Sequence, residues 1–170
     1  IYNIFDPITR KQTRITDPDA GQIDYTYDAF GELIKQSQIQ SVTKTVDYTF
    51  KYDNLGRTTE KTNIEEGTTK TYYDTKPNGK GLIAKVENTT SGQSMEYEYD
   101  ALSRVSKQKE IIDGVTYVKL VEYDNFGRIC KTDYPFIDGT APVLTVSQQY
   151  NSNGFLVSIT NESTQNKLWR

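Results

Sequence analysis

The chain has 170 residues, of which 35% are hydrophobic and 12% aromatic, and its formal net charge is -3. Lysine and arginine are scattered along the sequence, so it lacks the basic stripe or patch that a nucleic-acid surface requires. It contains no histidine, which excludes Ser-His-Asp and Cys-His catalysis and every His-ligated metal site, and no apolar run long enough for a transmembrane helix.

A tyrosine-anchored motif recurs along the whole chain. In each copy an alternating, aromatic-rich run ends in Tyr-Asp or Tyr-Asn and passes into a turn. The anchoring residues are Tyr27, Tyr52, Tyr73, Tyr99, Tyr123 and Tyr150, so successive copies lie 25, 21, 26, 24 and 27 residues apart. We interpret Phe5-Asp6 as a seventh copy, interrupted by the chain start. This period predicts a repeat protein, in which each unit buries its apolar face against its neighbours.

The first complete copy, Tyr27-Asp28-Ala29-Phe30-Gly31, predicts the tip of a β-hairpin. Aspartate is favoured at the first position of a type I turn and glycine at the fourth. The aspartate side chain can accept hydrogen bonds from N–H groups two residues on, and glycine can take the left-handed conformation that follows such a turn. Ile23, Tyr25 and Tyr27 alternate with polar residues, which predicts a strand with one buried face.

The later copies repeat this pattern. Alternating apolar positions predict incoming strands at Val46, Tyr48, Phe50 and Tyr52, at Met95, Tyr97 and Tyr99, and at Tyr117, Lys119, Val121 and Tyr123. The tyrosines of these runs are candidates for core packing between repeats. The motif assigns a structural role to Tyr27, Asp28, Gly31, Tyr52, Asp53, Gly56, Arg57, Tyr73, Asp74, Tyr99, Asp100, Arg104, Tyr123, Asp124, Gly127, Arg128, Tyr150 and Gly154.

A second strand is predicted after every tip. These outgoing strands are 32–39, 57–64, 82–90, 104–112, 128–137 and 155–161, which gives about a dozen short antiparallel strands in total. Turn residues at 66–67, 91–92, 113–114 and 138–139 return the chain to the next incoming strand, and Asp113-Gly114 is typical of a two-residue hairpin turn. The segment 75–81, with Pro77, Asn78 and two glycines, replaces a regular tip by a longer loop.

The complete motif Tyr-Asp-x-x-Gly-Arg, at 52–57 and 123–128, resembles the YD repeat of the Rhs family. That family includes Rhs and wall-associated polymorphic toxins, the B and C components of insecticidal toxin complexes, and teneurins. The resemblance covers almost the whole chain, and Asp17-Pro18-Asp19-Ala20-Gly21 is similar in character. It implies an all-β fold, a YD-repeat antiparallel β-sheet strip that forms a segment of an Rhs-type shell. In the toxins such a shell encloses a C-terminal cytotoxic segment.

The chain also departs from the family pattern. Ser103 replaces the tip glycine, Glu32 replaces the arginine of the first complete copy, and the copies at Tyr73 and Tyr150 are degenerate. The self-cleaving Asp-Pro-x-Gly site that precedes the variable toxin in the family has no match here, since Asp17-Pro18 has the wrong spacing. We therefore expect a piece of shell wall without toxin or cleavage site, cut from a larger protein because repeat-like sequence reaches both ends.

The residues do not predict an enzyme. Cys130 is the only cysteine, and its place in an alternating strand favours a small buried hydrophobe over a reactive thiol. The recurrent aspartates occur once per repeat, as turn residues do, whereas an acid/base pair would occur once in the chain. The same aspartates could in principle bind calcium along one rim, but turn capping is the preferred interpretation. No cofactor is predicted.

These observations lead to one main function and one alternative. Residues 1–170, with about six repeats, are interpreted as a structural array of a large secreted or cell-surface Rhs-type protein. Its predicted partners are neighbouring repeats of the parent protein and an enclosed C-terminal toxin. The alternative is a carbohydrate-binding or adhesive module, whose aromatic row recognises a glycan. Exposed first and last strands further predict edge-to-edge self-association of the excised chain.

Overall fold

The computed structural model describes residues 1–19, 21–41 and 44–169. These residues form fifteen β-strands and no helix. The strands are β1 Tyr2–Phe5, β2 Gln12–Asp17, β3 Gly21–Tyr27, β4 Leu33–Ser41, β5 Lys44–Tyr52, β6 Thr58–Asn63, β7 Gly67–Tyr73, β8 Ile83–Asn88, β9 Ser94–Tyr99, β10 Val105–Ile112, β11 Val115–Tyr123, β12 Ile129–Ile137, β13 Thr145–Tyr150, β14 Leu156–Asn161 and β15 Lys167–Trp169. The all-β, antiparallel fold class expected from the sequence is confirmed.

The chain divides into two compact units. The first comprises Ile1–Thr71 with Asn88–Ser91, and the second comprises Tyr72–Glu87 with Gly92–Arg170. The predicted domain organisation, a single array over residues 1–170, stays a prediction. Segment 17–21, which was compared with the family motif, includes Ala20, and that residue lies outside the described ranges.

In the first unit the strands follow one another in the sheet in chain order, and the recorded pairs are antiparallel. The register places Tyr25 beside Gln36, Gln36 beside Tyr48, and Tyr48 beside Asn63. Since side chains alternate between the faces of a sheet, these four residues share one face. Aromatic and amide side chains therefore run across β3 to β6 on that face.

The second unit has the same plan. Strands β8 to β15 lie in chain order, with antiparallel pairing between neighbours. The β11–β12 register shifts between Val118, which pairs with Phe136, and Leu120, which pairs with Asp133. The extra residue of β12 lies at Tyr134-Pro135. A proline is tolerated there because a bulge does not require every N–H of the ladder.

A second kind of bulge recurs at the tips. Immediately before the tip, the incoming strand advances by one residue while the outgoing strand advances by two. The extra residues are Thr13, Ile34, Thr59, Ser106, Cys130 and Val157. Cys130 is thus a bulge residue, and it is half-buried where the sequence predicted a buried position. Bulges of this kind bend the strand and increase its twist.

Neither unit encloses a conventional core of large side chains. The buried hydrophobic residues of the described chain are Val46, Ala84, Val118 and Val146, all of modest size. The tip tyrosines predicted as core residues are half-buried instead. A buried Val118 also contradicts the predicted single apolar face of β11, since Val118 has the opposite parity to Tyr117 and Val121. It shares its face with the lysines of β10, and it pairs directly with Lys109.

Strand positions differ from the sequence prediction in two further ways. Strands β2 and β15 were not predicted, because their sequences lack the aromatic alternation of the other strands, whereas β1 ends at Phe5, where the seventh copy was placed. The outgoing strands begin one residue later than predicted, at Leu33, Thr58, Ile83, Val105, Ile129 and Leu156. The residue before each start still belongs to the tip, since its carbonyl accepts a hydrogen bond that closes the turn.

Candidate functional site: the tip edge of the sheet

In each unit the hairpin tips lie at the same end of their strands, and five of them share one backbone pattern. In the tip that begins at Asp53, the N–H of Asp53 donates to the Arg57 carbonyl at 3.0 Å, and the N–H of Gly56 donates to the Asp53 carbonyl at 3.0 Å. The tips at Asp28, Asp100, Asp124 and Asn151 make the same two bonds. We call this end of the sheet the tip edge, and the opposite end, with the turns between hairpins, the return edge.

The aspartate side chain completes each regular tip. Asp53 Oδ1 accepts hydrogen bonds from the N–H groups of Leu55 at 2.9 Å and Arg57 at 3.0 Å, while Oδ2 accepts from the Arg57 Nε at 2.7 Å and lies 2.7 Å from its Nη2. Asp100 with Arg104 and Asp124 with Arg128 repeat this arrangement. Each carboxylate therefore receives two backbone donors and a bidentate guanidinium.

These contacts shift the acidity of the tip carboxyls. The backbone hydrogen bond from Arg57 is the main cause that lowers the pKa of Asp53, and the Arg104 side chain is the main cause that lowers the pKa of Asp100. Burial raises the pKa of Asp124, but the hydrogen bonds from Arg128 and Phe126 and the charge of Arg128 act in the other direction, and the net shift is downward. The carboxylates are stabilised in their charged form, in which they accept every donor of the tip.

The fourth turn position requires left-handed backbone. Gly31, Gly56, Gly127 and Gly154 have φ between 74° and 85°, as expected for the tip glycines. Ser103 occupies the same position with φ 61°, although its Cβ makes this conformation unfavourable. The turn is therefore imposed on Ser103 by the surrounding tip, and the serine is a strained substitute for glycine.

Five tip tyrosines bind the hairpin that precedes them. The hydroxyl of Tyr27 donates to the Gln12 carbonyl at 2.9 Å, and that of Tyr52 donates to the Leu33 carbonyl at 2.8 Å. In the second unit the corresponding pairs are Tyr99 with Ile83, Tyr123 with Val105 and Tyr150 with Ile129. The acceptor is always the first residue of the preceding outgoing strand. A single tyrosine atom thus fixes the register of neighbouring repeats.

The tip cation makes a second contact between repeats. The guanidinium of Arg104 lies 4.1 Å from the ring centroid of Tyr123, and that of Arg128 lies 4.3 Å from the ring centroid of Tyr150. In the first unit Lys11 takes this role, with its ammonium 5.1 Å from the Tyr27 ring centroid and 2.7 Å from the Gly31 carbonyl oxygen. The sequence analysis missed Lys11, because the tip at Asp6 has one more residue than the others.

The two degenerate copies retain part of the arrangement. At Asp74 the turn expands into a longer loop, as predicted, but the Asp74 N–H still donates to the Leu82 carbonyl at 3.1 Å. Tyr73 is half-buried at the end of β7. In the last tip Asn151 replaces aspartate and accepts from the N–H groups of Asn153 and Phe155, both at 3.0 Å. An amide oxygen therefore serves as well as a carboxylate for the backbone part of the tip.

The return edge contains an asparagine turn that the sequence analysis did not identify. Asn63 Oδ1 accepts from the N–H groups of Glu65 and Glu66, and its Nδ2 donates to the Asp47 carbonyl at 3.2 Å. Asn88 makes the equivalent bonds to Thr90 and Ser91, and its Nδ2 donates to the Glu66 carbonyl at 2.8 Å. The shared spacing Asn-x-x-x-Gly, at 63–67 and 88–92, was the available signal.

One further cluster of charged residues lies in the second unit. Tyr72, Thr75, Lys76, Lys85, Glu87 and Glu96 line a surface cavity of about 270 Å³. Lys85 lies 2.6 Å from Glu87 and Lys76 lies 3.2 Å from Glu96, while the Tyr72 hydroxyl donates to Glu87. The charges of this cluster compensate one another. In the described part of the chain no group of three or more Asp, Glu, His or Cys residues could hold a metal ion, and no helix could span a membrane.

Solved structures of toxin-complex proteins share this fold. A crystal structure of TcdB2-TccC3-TEV matches 94% of the chain with a TM-score of 0.72 and 13% identity. The Photorhabdus luminescens Tc holotoxin pore with a TccC3 mutation matches 94% with a TM-score of 0.69 and 15% identity. A crystal structure of TcdB2-TccC3-Cdc42 matches 94% with a TM-score of 0.54 and 15% identity.

The matched region is 9% of the neighbour's chain in the first two structures and 10% in the third. The chain thus spans about a tenth of the length of these proteins. No family model and no curated protein sequence matches it. The similarity shows the fold, and at that level it confirms the resemblance to Rhs-type repeat proteins that the Tyr-Asp motifs indicated.

Proposed function

We propose that the chain is a structural segment of the β shell of a large, secreted or cell-surface Rhs-type protein that encloses a C-terminal toxin. The main support is the use of the motif residues. The tyrosine hydroxyls and the tip arginines bind neighbouring hairpins, and the aspartate carboxylates bind groups of their own tip, so these functional groups are all engaged inside the array. A likeness in fold to proteins of Tc toxins agrees with this role.

The proposal includes the absence of a catalytic function in this segment. A catalytic carboxylate would require a pKa matched to proton transfer near neutrality. The pKa values of the Asp53 and Asp100 carboxyls are shifted in the opposite direction, and each of these two carboxylates is held by an arginine. An acid/base role would therefore first require that the tip be opened.

The proposal is tested on the parent protein by looking for a segment enclosed in its shell. The full reading frame that contains this segment is expressed, and cryo-electron microscopy is used to look for a closed shell with density inside it. Limited proteolysis of the same sample is expected to spare the C-terminal segment and to degrade it after the shell is denatured. A parent protein that ends without a C-terminal domain, or a shell with an empty interior, would refute the enclosing role.

The glycan-binding alternative rests on the row Tyr25, Gln36, Tyr48 and Asn63 in the first unit. Two observations argue against this alternative. The Lys61 ammonium lies 4.6 Å from the Tyr48 ring centroid, and Asn63 is only 2% exposed. Sugars usually stack on an uncovered aromatic face. Glycan-array binding by the wild type that is lost in Tyr25→Ala and retained in Thr26→Ala would revive the alternative.

Edge-to-edge association through the terminal strands is a proposal about the 170-residue chain on its own. Strand β1 is exposed along its length and carries Tyr2, Ile4 and Phe5, while β15 carries Leu168 and Trp169. Exposed, apolar edge strands invite pairing with another copy. Light scattering over a dilution series of the wild type and Cys130→Ser is the measurement. A monomer at every concentration contradicts the proposal, and association that requires Cys130 would instead identify a disulfide.

A further inference from the structure

One junction between consecutive tips of the first unit has a carboxylate where other junctions have a cation. At three junctions a cation of one tip lies against the tyrosine ring of the next tip. These cations are Lys11, Arg104 and Arg128. At the junction between the tips of Asp28 and Asp53, Glu32 stands in this place. No cation of the described residues lies over the Tyr52 ring there. We call Asp28, Glu32 and Tyr52 the acidic junction.

Glu32 places its carboxylate where the other junctions place a positive nitrogen. A Cβ added to Gly56, the glycine of the next tip, would lie 3.2 Å from Glu32 Oε1. A Cβ added to Gly31, Gly127 or Gly154 would lie 2.8 Å from Lys11 Nζ, 3.5 Å from Arg104 Nη1 or 3.6 Å from Arg128 Nη1, respectively. The same point beside the next tip glycine therefore holds a negative oxygen in the acidic junction and a positive nitrogen in the other three.

Asp28 differs from the equivalent aspartates in the same way. In three other tips one carboxylate oxygen binds the arginine four residues on, through both Nε and Nη2. Asp28 Oδ1 accepts from the N–H groups of Phe30 and Glu32, both at 2.9 Å, as in those tips. For Asp28 Oδ2 and the Glu32 carboxylate, the described part of the chain provides no hydrogen-bond donor and no ion-pair partner. The acidic junction thus has two carboxylates without an internal counter-ion.

Cations on the flanking segments are held by other groups. Lys11 Nζ donates to the Gly31 carbonyl at 2.7 Å, Lys35 lies 2.8 Å from Asp47, Lys51 lies 2.7 Å from Glu60, and Arg57 lies 2.7 Å from Asp53. Arg10, in the first tip, is exposed and makes no described ion pair with the junction. Burial is the main cause that raises the pKa of Tyr52, and the charges of Glu32 and Asp28 raise it further. A cation between the ring and the two carboxylates would be attracted by all three groups.

We infer that the acidic junction binds an arginine side chain presented by another polypeptide. The regular tips supply the geometry, since Arg104 is bidentate on its own aspartate and lies 4.1 Å from the ring centroid of the next tyrosine. A planar guanidinium can make both contacts at once, whereas an ammonium cannot pair bidentately. Calcium would need about six to eight oxygen ligands and would gain nothing from the ring. The junction is half-buried at the tip edge, where a side chain from outside can reach it. The inference does not rest on the proposed enclosing role.

The inference is tested by NMR titration of isotope-labelled Cys130→Ser protein with N-acetyl-arginine amide. A single protein concentration and constant ionic strength keep any association through the terminal strands the same throughout, and each amide signal reports its own place in the chain. The amides of Phe30, Glu32 and Gly56 should shift saturably, with a dissociation constant on the order of 1 mM. N-acetyl-citrulline amide has the same shape without the charge and should bind at least about tenfold more weakly. N-acetyl-lysine amide should also bind more weakly than the arginine compound.

Two charge-reversed variants complete the test. Glu32→Arg supplies a guanidinium from within the chain, so it should raise the melting temperature and weaken binding at least about tenfold. Glu65→Arg makes the same charge change in an exposed return turn and should leave binding unchanged. If Glu32→Arg does not fold, Glu32→Gln, which should weaken binding, decides alone.

Four results would overturn the inference. They are an absence of saturable shifts in the parent protein, equal binding of the citrulline or lysine compound, unchanged binding in the Glu32 variants, and equal losses in Glu32→Arg and Glu65→Arg. Calcium chloride that shifts the same amides and displaces the arginine compound at constant ionic strength would also overturn it, and would assign the acidic junction to a metal ion.

Discussion

The tip edge and the return edge both reverse the chain, but the turns of the tip edge are far more uniform. Five tips use the same five-residue turn, with the same two backbone bonds and an Asp or Asn at its first position. The return turns vary from two residues at Asp113-Gly114 to seven residues at 138–144. The uniform edge is the one where tyrosine and cation side chains join consecutive hairpins. Regular geometry is therefore maintained where contacts between repeats depend on it.

The return edge has its own, less regular connections. Asn63 and Asn88 each cap their own turn; Asn63 Nδ2 also donates to the Asp47 carbonyl in β5, and Asn88 Nδ2 donates to the Glu66 carbonyl in the preceding return turn. Elsewhere the edge uses backbone bonds alone, such as Asp138 N–H to the Thr116 carbonyl at 2.9 Å. Asn88 also begins the pattern Asn-Thr-Thr, which has the form of a glycosylation sequon. In this structure Asn88 Nδ2, the atom that a glycan would modify, donates to the Glu66 carbonyl.

The largest effect is expected from a tip tyrosine. Tyr123→Ala removes the hydrogen bond to Val105 and the ring beneath Arg104, and should lower the free energy of unfolding by about 3 kcal/mol. Tyr134→Ala, in the return half of the neighbouring strand and 47% exposed, should cost less than about 1 kcal/mol. Urea denaturation of the two variants gives the comparison. Equal losses would show that the tip edge is no more important for stability than the return edge.

An asparagine of the return edge should have the next largest effect. Asn63→Ala removes three hydrogen bonds at a buried site and leaves the N–H groups of Glu65 and Glu66 without their acceptor, which should cost about 2 kcal/mol. Asn161 caps Ser163 and Thr164 in a more exposed turn, so Asn161→Ala should cost about 1 kcal/mol. The reverse order would contradict the role assigned to the Nδ2 bond from Asn63 to the Asp47 carbonyl.

Exchange of residues at the fourth tip position should produce smaller effects of opposite sign. Ser103→Gly relieves left-handed strain and should stabilise the protein by about 1 kcal/mol, and Gly127→Ser should destabilise it by about 1 kcal/mol. Ser103→Ala should be nearly neutral, since both residues carry a Cβ. Thermal melting of the three variants is sufficient. A destabilised Ser103→Gly would show that the serine hydroxyl has a role that outweighs its backbone strain.

The sequence predicted the tips well because their geometry depends on a few residues that are adjacent in the chain. Asp28 and Gly31 alone are enough to predict a type I turn at this place. The contacts between repeats were not predictable in detail, because the acceptor of Tyr27 lies 15 residues away on a different hairpin. Strand β2 was missed since Gln12–Asp17 lacks aromatic alternation. The burial of Val118 depends on its neighbours across the sheet, Lys109 and Phe136, which the periodicity of a single strand cannot reveal.

The smallest expected effect is on stability at acid pH, and it should distinguish the tip edge from the return edge. The pKa values of Asp53, Asp100 and Asp124 at the tips, and of Asp138 at the return edge, all lie below the ordinary 3.8. For such a group the stabilisation is fully present above 3.8 and is lost as the pH falls through 3.8 towards the folded value. Wild-type urea midpoints should therefore decline below this pH.

The two edges should then respond differently to salt. The Asp138 carboxylate is paired mainly with the Lys109 side chain across an exposed surface, with 46% of the Asp138 side chain accessible. Asp124 is 21% accessible and also accepts two backbone N–H groups, so its interactions are less screened. At about 1 M salt the acid dependence of Asp124→Asn should still be flatter than that of the wild type, whereas Asp138→Asn should match the wild type. Identical curves for Asp124→Asn and the wild type would mean that the tip carboxylates contribute nothing to the pH dependence, and that the regularity of the tips comes from backbone geometry alone.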